Sequence, residues 1–377
     1  MTLKQELRRY RRVFIVCDRN VEDFARQLAG GMPGQVRHSG KHPVRDGQAG
    51  MEAYPIMAVV ADEAHKNMET ALQICRWLLE QGADRDALLL AVGGGVTTDL
   101  AGFAACIYKR GIRYANVPTT LLSQVDAGIG GKTGANLDGY KNILGVIRQP
   151  EFTAIFPEVL RTLPEREFRS GLAEMLKTFI ISNPSHAYER AIALMAITPG
   201  TAPALPDGEF RYRAPFSGAR TCPFPDAEGV PGGLAELIHL AAGIKQGIVE
   251  KDGNERGLRR KLNLGHTWAH AIEWWQSRNE DPGRSILSHG EAVAIGIVQA
   301  AKLSETLGIA EKGLADRLKA DLESCGLPTG LPCPVKELLP AIQKDKKAEG
   351  GLVRFVLPVK VGRVVVKAIG PQLLLQP

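Results

Sequence analysis

Three of the chain's eight histidines fall in one short window. His266 and His270 stand four residues apart in Gly265-His266-Thr267-Trp268-Ala269-His270, and His289 follows in Ser288-His289-Gly290-Glu291, which opens another apolar helical stretch. Residues at i and i+4 share one helix face, so both imidazoles can aim at one spot, and a metal is the candidate occupant. Upstream, Gly171-Leu172-Ala173-Glu174-Met175-Leu176-Lys177 sets Glu174 and Lys177 at i and i+3. Such a pair is ordinarily a surface ion pair. Here the flanks (Leu172, Met175, Leu176, Phe179, Ile180, Ile181) are apolar, so the helix is expected to be buried, and a buried carboxylate needs a partner such as a metal. A catalytic zinc site takes three protein ligands, often two His and a carboxylate, and leaves one position open. Glu174, His266 and His289 would supply that set, with His270 beside the metal as an acid–base or anion-binding group. The plain structural alternative is two histidines capping loops at helix N-termini and a third in the core.

Two glycine-rich segments add anion chemistry. Gly93-Gly94-Gly95-Val96-Thr97-Thr98-Asp99 follows a strand signal and opens a helix, so backbone N–H groups there can meet a phosphate. It is not GxGxxG, and a tight turn with Thr97 or Thr98 capping the helix reads the same residues without a ligand. Asp126-Ala127-Gly128-Ile129-Gly130-Gly131-Lys132-Thr133 resembles the close of a P-loop, but Asp126 stands where the first glycine should be, which disfavours ATP hydrolysis. What remains is a flexible backbone cradle with Lys132, joined by Lys141-Asn142, suited to an anionic substrate.

The elements that must position these groups come in two textures. Strand signals at 13–17, 56–61, 87–92 and 114–117 alternate with helical spacing at 68–79, stopped by Gly82, and at 96–107. This alternation predicts an α/β domain with a parallel sheet and helices on both faces, over residues 1–164. From 165 to 377 helical patterns dominate, at 165–182, 233–251, 266–277, 288–308 and 311–324, with a small hairpin from 353–358 and 363–366. Residues 30–50 read as a surface loop and the Pro/Gly-rich stretch 199–233 as an insertion.

Composition narrows the class. An apolar share of 44% and no run near the roughly 18 apolar residues of a membrane span predict a soluble protein without membrane contact. The N-terminal residues carry basic groups but no apolar core or cleavage site, so a cytoplasmic protein is expected. The six cysteines form no CxxC pair, so neither a thiolate zinc site nor a disulfide framework is expected. The charge of +6 is spread among acids without aromatic interleaving, which points to small anionic ligands, not nucleic acid.

Read in order, the motifs resemble the 3-dehydroquinate synthases, of the sugar-phosphate cyclase superfamily. The carrying segments are Gly93 to Phe103, Lys109-Arg110-Gly111-Ile112, Val117 to Leu122, Gln124-Val125-Asp126, Gly130 to Gly134, Lys141-Asn142, Thr162 to Phe168, Gly171 to Glu174, Leu262 to Thr267, His289-Gly290-Glu291 and Asp345-Lys346-Lys347. The likeness runs over nearly the whole chain. It implies an N-terminal NAD-binding α/β domain followed by a mainly helical metal-binding domain, with Zn2+, or Co2+ in its place, on Glu174, His266 and His289. It matches Lys132, Asn142, His270 and Lys346, with Lys347 as the adjacent alternative, to the substrate's phosphate side. Lys245, Arg259 and Asn263 match the groups that hold its carboxylate and hydroxyls, and Asp126 and Lys177 those near the reacting carbon. On the nucleotide side the matches are Asp18, Asn20, Glu63, Lys66, Gly94, Gly95, Val96, Asp99, Thr119, Thr120, Lys141, Thr162 and Glu167. Arg110 matches an arginine that reaches a neighbouring subunit, which implies a homodimer. Departures are local: Asn136-Leu137-Asp138-Gly139 replaces a common His-Pro pair, and Asp62 and Ala269 replace glycines.

The implied reaction converts 3-deoxy-D-arabino-heptulosonate 7-phosphate to 3-dehydroquinate and phosphate through transient oxidation by NAD, phosphate elimination, re-reduction and aldol closure. It belongs to the shikimate pathway of aromatic amino acid biosynthesis. Alternatives are a sister cyclase such as an aminodehydroquinate synthase, a metal-dependent polyol dehydrogenase, and a non-catalytic NAD-binding regulator.

Overall fold

The computed structural model of the chain describes residues 3–30, 54–138, 140–196, 233–279, 286–344 and 351–375. The expected loop at 30–50 and the insertion at 199–233 lie outside the described residues apart from Gly30 and Gly233, and so do Lys346 and Lys347. The described parts of 1–119 and 127–156 form one compact unit, and 120–126 with the described parts of 157–377 form a second.

In the first unit the order is α1 (Leu3–Leu7), β1 (Val13–Asp18), α2 (Glu22–Leu28), β2 (Ile56–Val59), α3 (Met68–Glu80), β3 (Leu88–Gly93), α4 (Gly95–Ile107), β4 (Arg113–Pro118), β5 (Lys132–Leu137) and β6 (Tyr140–Ile147). Four strands make a parallel sheet in the order β2-β1-β3-β4, with Ile15 opposite Ile56 and Leu90, and Gly93 opposite Pro118. The apolar runs are unbroken because both faces are buried. Phe14, Val16, Leu89, Ala91 and Tyr114 join Ile74 and Leu78 of α3 and Leu100 and Ala104 of α4 in one core, while Ile15, Cys17, Leu90 and Val92, on the opposite face, are also fully buried. α3 ends as expected, with Gly82 at a left-handed φ of 66°.

One expectation needs correction. The glycine-dense stretch from 126 is not a flexible cradle throughout: 132–137 is a strand, paired antiparallel with β6 so that Thr133 faces Val146 and Gly134 faces Gly145. The glycines that hid the strand are required by this packing. The Thr133 hydroxyl donates to the Val146 carbonyl at 2.8 Å, and a Cβ on Gly145 would lie 2.2 Å from the Thr133 oxygen.

The second unit runs α5 (Glu165–Ile181), α6 (Ala187–Met195), α7 (Leu234–Lys251), α8 (His266–Gln276), α9 (His289–Thr306), α10 (Leu314–Ser324), α11 (Val335–Lys344), then β7 (Val353–Lys360) and β8 (Arg363–Ile369), an antiparallel hairpin. Helices α6 and α11 were not expected; α11 carries Pro340, a residue that argues against a helix when read locally. Every residue of α5 from Ser170 to Ile181 is buried, so this helix is enclosed on all sides. Helix α9 is nearly as enclosed, and Phe355 of β7 packs near Trp268 of α8.

Candidate metal and nucleotide sites

Glu174 is fully buried on α5, and its neighbours are set by two close helix contacts. A Cβ on Gly290 would stand 2.1 Å from the Ser170 oxygen, and one on Gly296 would stand 2.1 Å from the Gly265 oxygen. Only glycine lets α9 lie this near both α5 and the start of α8. The N-terminus of α9 is fixed by a capping box: the Glu291 N–H donates to Ser288 Oγ, and the Ser288 N–H donates to the Glu291 carboxylate. His289 and His266 are thereby the first residues of their helices, both beside Glu174.

The geometry is that of a ligand set. His289 Nε2 lies 3.3 Å and His266 Nε2 3.6 Å from Glu174 Oε1, and the three donor atoms fall within 4.8 Å of one another. Both Glu174 oxygens are buried without a hydrogen bond of good geometry, although the Lys177 ammonium sits in ion-pair contact with Oε2. Burial alone would raise the Glu174 pKa, but Lys177 and then His266 outweigh it and hold the carboxyl well below its usual range. His266 is pushed down to about 3, by burial first and by Lys177 second, so it is neutral. Its Nδ1 faces the Leu264 carbonyl at 3.2 Å, which accepts the ring proton and leaves the Nε2 lone pair toward Glu174. His289 Nδ1 likewise faces Glu273 at 3.3 Å; burial lowers its pKa, but the Glu174 and Glu273 carboxylates raise it to about 10. An anionic oxygen ligand and two Nε2 atoms, each backed by an acceptor at Nδ1, fit a divalent cation such as zinc. His270, one turn on from His266, is exposed, its ring centroid 5.5 Å from that of His266.

Next to this cluster is a buried charge chain. Lys245 of α7 donates to the Asp126 backbone oxygen at 2.7 Å and to its carboxylate, and Lys177 Nζ is 4.0 Å from Asp126 Oδ2. Lys177 therefore lies between Glu174 and Asp126; burial opposes its charge, but the two carboxylates raise its pKa. Burial dominates at Lys245 and lowers its pKa. The loop before α8 is ordered by Asp252, whose carboxylate accepts the N–H groups of Arg256, Gly257 and Arg259. It presents buried Arg259, whose Nη1 donates to the Gly253 oxygen, and Asn263, whose amide donates to Glu255 at 2.6 Å.

Apart from Lys141 on β6, the nucleotide candidates of the first unit share one edge. Because the strands are parallel, Asp18 ends β1, Glu63 and Lys66 follow β2, Gly94, Gly95, Val96 and Asp99 follow β3, and Thr119 follows β4, all at the sheet's carboxyl edge. Ligands of open parallel sheets bind there, above all where the chain order reverses, as it does beside β1 in the order β2-β1-β3. Asp18 caps the turn holding Asn20. The alternative in which Thr97 or Thr98 caps α4 does not hold: the N-cap is Gly94, no side chain caps it, and the Thr98 hydroxyl donates to the Gly95 carbonyl. Lys66 is buried and donates to Asp99 and to Asn142. Lys132 and Lys141 are exposed on the hairpin. Arg110 is exposed in a turn where Lys109, Arg110 and Gly111 all have positive φ, anchored by the Lys109 ammonium on the Ala83 carbonyl. Thr120, Thr162 and Glu167 belong to the second unit, Thr162 and Glu167 exposed around the start of α5.

Three contributors carry no assignment from sequence alone. Glu273 is seven residues beyond His266 on α8, a spacing that signals the same helix face. Glu255 and Asn136 act from a loop and a strand end, where spacing carries no such signal.

Comparison with known proteins matches these features. A model of the 3-dehydroquinate synthase N-terminal region matches residues 56–170, and one of its C-terminal region matches 227–348. The 3-dehydroquinate synthase of Acidithiobacillus ferrooxidans is 40% identical over 315 residues, 83% of this chain and 77% of that protein. That of Thermococcus kodakarensis is 40% identical over 316 residues, 84% of this chain and 78% of its own length. Among solved structures, the 2-epi-5-epi-valiolone synthase of Streptomyces hygroscopicus subsp. jinggangensis 5008, with NAD+ and Zn2+ bound, is similar at a TM-score of 0.75 and 26% identity, over 96% of this chain and 88% of that one. With the matched regions spanning both the glycine-rich helix start and the histidine window, the chain belongs to the 3-dehydroquinate synthase family.

Proposed function

We propose that the protein is a phosphate-eliminating carbon–oxygen lyase that converts 3-deoxy-D-arabino-heptulosonate 7-phosphate to 3-dehydroquinate and phosphate, acting in the cytoplasm as a homodimer. The observation that carries this reading is the buried Glu174 carboxylate, flanked by the Nε2 atoms of His266 and His289, in a chain 40% identical to synthases of that reaction. Bound NAD would take up and return a hydride at a substrate hydroxyl, while a divalent metal on the triad would make that hydroxyl acidic and polarise the ketone.

The chain's own residues handle charge and position. Lys245, Arg259 and Asn263 are held by Asp126, Gly253 and Glu255, so their donors need little rearrangement to meet a carboxylate and hydroxyls. Asp126 and Lys177, joined by the same charge chain, would move protons near the reacting carbon. Lys132, Asn142, His270, Lys346 and the partner subunit's Arg110 would hold the phosphate. We assign nucleotide contacts to Asp18, Asn20, Glu63, Lys66, Gly94, Gly95, Val96, Asp99, Thr119, Thr120, Lys141, Thr162 and Glu167, and the metal to Glu174, His266 and His289.

The test is phosphate release from the heptulosonate phosphate with catalytic NAD, before and after chelation of metal. Release should stop on chelation and return with Zn2+ or Co2+, and NADH should not accumulate. Unchanged release by demetallated protein, or steady NADH formation from a polyol, contradicts the assignment.

A further inference from the structure

Lys66 lies after β2, but its ammonium reaches two different parts of the first unit. It donates to Asp99 Oδ2 at 2.6 Å and to Asn142 Oδ1 at 2.6 Å, and the residue is only 6% exposed. An ammonium can only donate, so the atom of the Asn142 amide that meets it must be the oxygen. The amide NH2 is therefore turned away from Lys66, as two donors on an exposed residue. The backbone holds the same pose. Asn142 has a left-handed φ of 53°, which asparagine tolerates, and its N–H donates to Asn136 Oδ1 at 2.8 Å. Asn136 in turn donates through its backbone to the Lys66 carbonyl at 2.7 Å and through its amide to Glu63 Oε1 at 2.8 Å. The hairpin tip is thus tied to residues 63–66 by the bonds of Asn136 to Glu63 and to the Lys66 carbonyl and of Lys66 to Asn142, with Asn142 bonded back to Asn136, and through Lys66 to Asp99.

We infer that Lys66 is a positioning residue for the substrate's phosphate, acting through Asn142, in addition to any contact it makes with the nucleotide. This rests on the proposed roles of Asn142 at the phosphate and of Asp99 at the nucleotide. The amide donors of Asn142 present themselves to an anion because Lys66 occupies the amide oxygen. An asparagine on an untethered hairpin would present either end of its amide.

The experiment uses the full-length metal-loaded enzyme, inorganic phosphate as competitive inhibitor against the heptulosonate phosphate, and calorimetric NAD binding. Asn142→Asp keeps an acceptor for Lys66 but puts oxygen where the NH2 stood. It should raise the phosphate inhibition constant by roughly tenfold or more, with NAD binding as tight as in the parent. Asn142→Ala should weaken phosphate similarly and also loosen NAD, because Lys66 loses its second anchor. Lys66→Met should weaken both ligands, and adding Asn142→Ala to it should cost no further phosphate affinity. Parent-like phosphate inhibition in Lys66→Met overturns the inference, as does a double variant whose phosphate losses simply add; Lys66→Gln carries the same comparison if Lys66→Met does not fold. If neither Asn142 variant changes phosphate inhibition, the phosphate role of Asn142 itself is wrong, a result distinct from failure of the relay.

Discussion

The two units arrange their candidate groups in opposite ways. In the helical unit Glu174, Lys177, Lys245 and Arg259 are buried, and each charge is met by another charge or by a backbone oxygen. In the α/β unit Arg110, Lys132, Lys141 and Asn142 are exposed on turns and a two-stranded hairpin, while Lys66 is buried with its ammonium on Asp99 and Asn142. Burial removes competing water and strengthens every charge interaction, which suits groups that handle protons or a metal. Exposure lets a cation meet an incoming phosphate with little desolvation, but with less orientation. The difference separates residues whose loss disturbs the protein itself from residues whose loss disturbs only a ligand.

That contrast can be broken by substitution. The largest effect is expected at Lys177: replacement by Met leaves the fully buried Glu174 carboxylate without its ammonium partner, and removing one partner of a buried ion pair costs about 3–5 kcal/mol. Denaturant unfolding of the metal-free protein measures this, and an unchanged midpoint would mean that the charges are not interdependent. Glu273→Gln is milder. It removes the anion behind His289 Nδ1 while keeping the shape, and metal affinity should fall by roughly 10- to 100-fold in competition with a chromophoric chelator. Parent-like affinity would show that Glu273 is a bystander. The smallest structural effect is expected at Lys132→Ala: KM for the sugar phosphate should rise by about tenfold, the loss of one charge-assisted contact, with kcat and the melting temperature little moved. A fall in melting temperature comparable to that of Lys177→Met would erase the distinction between the units.

Much of the frame was legible locally. The unbroken runs at 13–17 and 87–92 read as buried parallel strands, and α3, α5, α8 and α9 end within a residue or two of their sequence boundaries, because apolar spacing and capping act over a few residues. The hairpin at 132–147 was not legible. Its glycines answer to packing across two strands, such as Gly145 against Thr133, which no window on one strand reveals. Helix α11 was missed for the complementary reason: its Pro340 reads as a breaker, while buried Leu338 and Ile342 hold it in place.

For the site, the sequence alone determined the residue types and which helices carry them: Glu174 and Lys177 one turn apart, His266 and His270 one turn apart, and Ser288 before His289 as the start of a helix. It also suggested the donor set, since a carboxylate on an apolar helix needs a partner. The tertiary structure decided which atoms meet. Close contacts at Gly290 and Gly296 draw α5, α8 and α9 together, so that His266 and His289 face Glu174 while His270 stays exposed. It also decided that Glu273 backs His289 and that Lys66 reaches Asn142. Periodicity records which face of an element is buried; it holds no record of the distance between elements far apart in the chain, and metal ligation and hydrogen bonding depend on that distance.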